Sequence, residues 1–165
     1  MLTQYSKDME RVMCALELCR MLHKGQTDKC GQPYWIHPFT VGMRSLTGHG
    51  SNLSYCIVGM LHDIAEDTEV SVDVLKTLID LTDEEVQALR LLTRQDGMSY
   101  DKYIDSIIES GNEVAMVVKL DDLVHNYNLN RMLDAGIEVT DKDKDRSAKY
   151  LDAFKKLHAQ LNEDI

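Results

Sequence analysis

Val114-Ala-Met-Val-Val-Lys119-Leu-Asp-Asp122-Leu-Val-His125-Asn126 holds the strongest strand signal in the chain, the run Ala115–Val118. That run has no turn residue after it and flows straight into a helical spacing of apolar positions that continues to Leu133, with Gly136 as the stop. Read as a helix, it removes the best candidate for a β-strand, and the rest of the chain reads the same way. Apolar residues at Met9, Val12, Met13, Leu16, Cys19 and Leu22 predict one buried stripe on a helix over Tyr5–Leu22. Pro38 suits the first turn of a helix to Leu46, and Ser51 or Asn52 caps one running to Glu66. Ser71 opens a short helix to Ile79, and Thr82 with Glu85 has capping-box spacing for another to Thr93. Ser99 starts a helix that stops near Gly111. Thr140 or Asp141 caps a charged one with Ala148, Leu151, Phe154, Leu157 and Leu161 on one face. The expectation is an all-α bundle of about eight helices, forming a single domain over residues 1–165.

Composition narrows what such a bundle does. The 165 residues carry 28 acidic and 18 basic side chains, a net charge of −10. That balance argues against DNA or RNA, whose binding depends on neutralising phosphates, and against a polybasic membrane contact. Cys14, Cys19, Cys30 and Cys56 form no CxxC pair and read as buried small hydrophobes of a reducing compartment. The N-terminal segment has no apolar core of a signal peptide and no run is long enough to span a membrane, so a cytoplasmic location is expected. A small anionic ligand remains compatible, given a locally positive pocket and a metal ion.

Three segments carry chemistry. Leu61-His62-Asp63-Ile-Ala-Glu66-Asp67-Thr68 follows an almost wholly apolar stretch, and a continuous helix there makes His62/Glu66 and Asp63/Asp67 neighbours one turn apart. Burying those acids together is costly unless a cation compensates, and His with Asp is an ordinary ligand pair for Mn²⁺, Fe²⁺ or Zn²⁺. Gly31-Gln-Pro-Tyr-Trp-Ile-His37-Pro38 delivers a histidine to a helix start. Asp122 lies inside an apolar helix and needs a partner, while Asn126 sits one turn on, placed to hydrogen-bond a ligand or its water. Arg20, Lys24, Lys29, Arg44 and Lys119 are the basic residues available to a pocket. His23, His49 and His158 read as surface or capping histidines, His125 as buried and structural. Met9 and Met13 read as core, and Asp141–Arg146 as a solvated helix start.

His37, His62-Asp63 and Asp122 resemble the H…HD…D signature of HD-domain metal-dependent phosphohydrolases. More narrowly, GQPYWIHP, LHDIAEDT and VKLDDLVHN are similar to motifs of the hydrolase domain of Rel/SpoT proteins and of small alarmone hydrolases. The resemblance implies one divalent ion, usually Mn²⁺, held by His37, His62, Asp63 and Asp122, with Glu66 and Asp67 assisting the hydrolytic water. It implies removal of the 3′-pyrophosphate of guanosine tetra- or pentaphosphate, giving GDP or GTP. Lys29, Asn126, Arg20 and Lys24 are then the candidate substrate contacts. The length leaves no room for a synthetase, TGS or ACT region, so a hydrolase-only protein is expected. The chain departs from the family at Asp28, Leu123, Asn128 and Leu129, where base-recognising or flanking residues usually differ. An HD nucleotidase or phosphatase acting on another small phosphate ester, and a non-catalytic nucleotide-binding module, are the alternatives.

Overall fold

The computed structural model describes residues 4–163 and the side chains of residues 6–162. Ten helices occupy the described residues: α1 (Gln4–Leu22), α2 (Ile36–Gly48), α3 (Leu53–Leu61), α4 (Ile64–Asp67), α5 (Val72–Ile79), α6 (Asp83–Leu92), α7 (Tyr100–Glu109), α8 (Glu113–Tyr127), α9 (Asn130–Asp134) and α10 (Asp141–Glu163). No strand is formed among them, and Ala115–Val118 lies inside α8. None of these helices is long and apolar enough to cross a membrane. The increase over about eight comes from two breaks. The expected helix to Glu66 divides at His62–Asp63, and the expected helix to Leu133 divides at Asn128. The imidazole of His62 causes the first: its Nδ1–H donates to the Gly59 carbonyl at 2.8 Å, the acceptor that the Asp63 amide would use in a continuous helix. At the second, Asn128 turns extended (φ −73°, ψ 96°) and its side chain accepts from the Asn130 amide at 3.1 Å.

Caps fix most other boundaries. Asn52, not Ser51, caps α3 by accepting from the Ser54 amide at 3.0 Å, because Ser51 is left-handed at φ 62°. Thr82 and Glu85 form the reciprocal capping box at 3.2 and 2.8 Å. Glu85 does more than cap. Fully buried, it also receives the Ser54 hydroxyl at 2.8 Å and pairs with Arg11, tying α1 and α3 to the start of α6. Glu85→Ala removes the buried partner of Arg11, strips the Ser54 hydroxyl of its acceptor and opens the cap, so a loss of about 3 kcal/mol and a Tm lowered by roughly 6–12 °C are expected. A thermal melt within 2 °C of the parent (about 0.5 kcal/mol) contradicts that role.

α3 lies at the centre, with Tyr55–Leu61 all buried, and packs against α1, α2, α6 and α8. Its crossing with α2 is backbone on backbone: a Cβ built on Gly59 lies 2.5 Å from Gly42 Cα, and one on Gly42 lies 2.7 Å from the Cys56 carbonyl oxygen. Two expected stripes are corrected. On α1 the buried line runs through Ala15 and Cys19, whose small side chains suit contact with α3, while Met9 and Met13 are 36% and 51% exposed. On α10, Ala148 and Leu151 face solvent, and Ala153 and Leu157 pack toward α8 with Tyr150, Phe154 and Leu161 partly buried beside them. Asp143 also departs from the solvated reading. It is buried, accepts from the Thr140 hydroxyl at 2.6 Å, and pairs with Lys29 at 2.7 Å.

Candidate metal centre

Three elements meet at one point. His37 occupies the first turn of α2, His62 and Asp63 form the break between α3 and α4, and Asp122 projects from the middle of α8. His37 Nε2 lies 3.4 Å from Asp63 Oδ2 and 3.2 Å from Asp122 Oδ1. His62 Nε2 lies 3.2 Å from Asp63 Oδ1 and 3.7 Å from Asp122 Oδ1. One ligand atom each from His37, His62 and Asp63 falls within 4.8 Å of the others. All four residues are buried or nearly so. The structure therefore brings the four sequence-expected ligands together.

Their surroundings orient them for a cation. Because His62 Nδ1–H is spent on the Gly59 carbonyl, the Nε2 lone pair is turned inward, and that buried nitrogen has no hydrogen-bond partner. His37 is oriented from behind in the same way, with its Nδ1 2.7 Å from His125 Nδ1. Burial, then the charges of His37 and Arg131, push the His125 pKa down to about 3, so His125 stays neutral and accepts. The unpartnered imidazole nitrogen among two carboxylates fits a divalent ion with N/O ligands.

Electrostatics report the same missing charge. Burial opposes ionisation of Asp63, yet the His62 and His37 rings hold its carboxyl below the usual range. Burial likewise opposes a charged Asp122, but Lys119, 2.8 Å from its Oδ2, together with the His37 and His62 rings outweighs it and holds the pKa well down. On His37, burial disfavours the imidazolium, but the hydrogen bonds it donates to Asp122 and Asp63, and the charges of those carboxylates, lift the pKa to about 9. A divalent cation held there would supply the positive charge that the two carboxylates otherwise draw from the rings.

Around this cluster the other expected residues divide. Glu66 and Asp67, one turn beyond Asp63, are exposed and line a cavity of about 480 Å³ with Thr93–Met98; Glu66 accepts from the Arg94 amide. Burial and the Asp63 charge raise the Asp67 carboxyl above its ordinary value. Asn126 donates to Asp122 Oδ1 at 2.5 Å and lines a second cavity, of about 280 Å³, together with Lys29. Arg20 and Lys24 line a third cavity, where Arg20 lies 5.3 Å from the Trp35 ring, and none of the three cavities is walled by the four candidate ligands themselves. Arg44 is engaged by Asp121 at 3.4 Å, and His49 pairs with the same carboxylate at 3.3 Å.

Four residues near the site were not legible as site residues. Tyr34 donates its hydroxyl to Asp63 Oδ2 at 2.8 Å, bracing that ligand; it sits inside the histidine motif, and only its buried neighbour reveals the role. His23 is corrected from a surface reading. It is 1% exposed, donates to Gln26 Oε1 at 2.8 Å and stands beside the Tyr34 ring. Asp28 accepts at Oδ1 from the amides of Cys30 and Gln32 at 2.8 and 2.9 Å, an Asx-type bracing of its own loop. Its other oxygen pairs with Arg131 at 2.5 Å, a contact across 103 positions that no local pattern announces.

A helical bundle that brings two histidines and two aspartates together in H…HD…D order, at these distances, has the arrangement of an all-α HD-type domain. Within that class, the chain is similar to the hydrolase domain of Rel/SpoT proteins. No family model matches it. The probable guanosine-3′,5′-bis(diphosphate) 3′-pyrophosphohydrolase of Mycoplasma pneumoniae is 24% identical over 160 residues, which are 89% of this chain and 21% of that protein. The guanosine-3′,5′-bis(diphosphate) 3′-pyrophosphohydrolase of Borreliella burgdorferi is 36% identical over 87 residues, 52% of this chain and 12% of that protein. The chain thus spans about a fifth or less of the length of these relatives. A solved structure of a metazoan ortholog of SpoT that hydrolyses ppGpp superposes with a TM-score of 0.67 at 21% identity, over 93% of this chain and 92% of the other, a likeness of fold.

Proposed function

We propose that the chain, as one HD-type unit over residues 1–165, is a metal-dependent pyrophosphohydrolase. It removes the 3′-pyrophosphate of guanosine 3′,5′-bis(diphosphate), or of its pentaphosphate analogue, giving GDP or GTP and pyrophosphate. The observation that carries the reading is the buried meeting of His37, His62, Asp63 and Asp122, with His62 Nε2 facing the Asp63 and Asp122 carboxylates without a hydrogen bond. The relatives named as 3′-pyrophosphohydrolases support the substrate. These four residues would hold one divalent ion, Mn²⁺ before Fe²⁺ or Zn²⁺. Bound there, the ion supplies Lewis-acid charge against a phosphoryl oxygen and makes water more acidic.

The chain's own groups supply the rest. Asp63 is fixed at Oδ2 by Tyr34, and Asp122 at Oδ1 and Oδ2 by Asn126 and Lys119, so Asp63 Oδ1 and the remaining lone pairs of Asp122 keep their positions when a ligand arrives. Glu66 and Asp67 stand on the next turn, open to solvent, where a carboxylate can orient the attacking water and take its proton. The raised carboxyl of Asp67 brings it nearer the pH at which such a transfer is efficient.

The test offers ppGpp, pppGpp, ordinary nucleoside triphosphates and nucleoside monophosphates to the Mn²⁺-loaded protein. Pyrophosphate without free phosphate from the first two is the expected result, with about one metal per chain by elemental analysis. Direct release of free phosphate identifies a phosphatase instead, and turnover of nothing identifies a binding module. Glu66→Ala is expected to keep the metal and lose turnover by about 10²- to 10⁴-fold. Hydrolysis at the parental rate removes Glu66 from the water-activating role.

A further inference from the structure

The cavity of about 280 Å³ beside the cluster is small against the roughly 300–1,000 Å³ of pockets that enclose a whole ligand, and suits one part of a nucleotide. Tyr34 and Asn126 belong to its wall and touch Asp63 and Asp122, so whatever enters it lies next to the candidate metal ligands. Its charged groups are already matched. Lys29 and Arg146 both reach Asp143, at 2.7 and 3.4 Å. Arg131 is held twice: Nη2 donates to Asp28 Oδ2 at 2.5 Å, and Nη1 lies 3.1 Å from His125 Nδ1. Two of its five N–H donors therefore serve the protein, one on each terminal nitrogen, and they fix the plane of the guanidinium. The side chain is nevertheless one-third exposed in a cavity whose wall includes Tyr150, Leu129 and Met132. A guanidinium fixed in this way presents its flat face to the cavity, a surface on which nucleic-acid bases stack.

We propose that Arg131 is the base-recognising residue of this chain, stacking on the purine of the nucleotide, and that Asp28 is the brace that holds its plane in place. This rests on the nucleotide substrate proposed above. In this arrangement Asp28 adds no net repulsion to the pocket, since its charge is spent on Arg131. The phosphates then lie outside the cavity, toward Tyr34, Asn126 and the cluster.

Calorimetric titration of the Mn²⁺-loaded protein with GDP and, separately, with inorganic pyrophosphate tests the assignment without requiring turnover. Arg131→Ala and Arg131→Lys are each expected to weaken GDP about 5- to 100-fold, while pyrophosphate affinity stays within about twofold. The lysine variant keeps the charge and lacks the planar face, and guards against a merely unfolded alanine variant. Asp28→Asn, which loosens the brace, falls between parent and Arg131→Lys. Rescue of GDP binding by lysine, or a parallel fall in pyrophosphate affinity, makes Arg131 a phosphate ligand and overturns the proposal. Unchanged GDP affinity in both variants overturns it too, as does a parent that binds no GDP. Arg131-dependent GDP binding by a protein that leaves ppGpp intact overturns the proposed reaction but not this role.

Discussion

Gly59→Ala is expected to lower Tm by roughly 6–12 °C, a loss of about 3 kcal/mol, and to cost the protein its bound metal. The added methyl would stand 2.5 Å from Gly42 Cα and 2.8 Å from Gly42 N. Both are backbone atoms, which cannot rotate away, so α2 and α3 must part. His37 lies five residues before Gly42, and His62 three after Gly59. Separating the axes therefore draws apart the two imidazoles whose Nε2 atoms share carboxylates at 3.2–3.7 Å. Thermal melting with elemental analysis reads both effects. A variant that melts with the parent and keeps its metal shows that the helix crossing does not set the ligand spacing.

Asp122→Ala is expected to abolish metal retention and, through it, hydrolysis. It removes a candidate ligand and also the counter-ion of Lys119, a side chain only 12% exposed that lies 5.0 Å from the Tyr103 ring. A buried ammonium without its carboxylate costs about 3–5 kcal/mol. Two losses of different origin are thus combined in one substitution, and a second variant separates them. Lys119→Met combined with Asp122→Ala should recover most of the lost stability and none of the metal. If the double variant is as unstable as Asp122→Ala alone, packing around Asp122 and not the stranded charge is responsible. If Asp122→Ala still carries one metal per chain, the ligand assignment falls.

Local signals in the sequence were dependable where the chemistry is local. Thr82 with Glu85, Ser71 and Ser99 begin helices because a side-chain oxygen satisfies an amide two or three residues away, and that requirement is written within four residues. His37, His62, Asp63 and Asp122 were legible for another reason. Acids and histidines in apolar surroundings demand compensation, and the order of the motifs matched a known arrangement. The misreadings all depend on contacts distant in the chain or on the direction of one bond. Met9 and Met13 are apolar at helical spacing, but the face of α1 that α3 covers was chosen by Ala15 and Cys19. The break at His62 follows from the ring bonding to Gly59, which helical periodicity does not encode. His23 reads as a polar residue before a glycine, and only the folded loop with Gln26 and Tyr34 buries it. Asp28 departs from the family's pattern, and its partner Arg131 stands 103 positions away in the chain.

The extended residue Asn128 between α8 and α9 has a consequence for how such a chain changes over time. Each residue added to a helix turns it by about 100° and advances it about 1.5 Å. The short Asn128–Leu129 connection therefore acts as a ruler: it fixes the register at which Arg131 returns to Asp28 and His125, while Asp122 and Asn126 upstream are indifferent to its length. On the reading proposed above, insertions, deletions and cap substitutions at this connection would re-aim the side chain assigned to the nucleotide base and leave all four histidine and aspartate positions in the sequence untouched. Recognition and bond-breaking would then sit on different stretches of one polypeptide that meet at His125, and substrate preference would be free to drift while the candidate metal ligands stay in place.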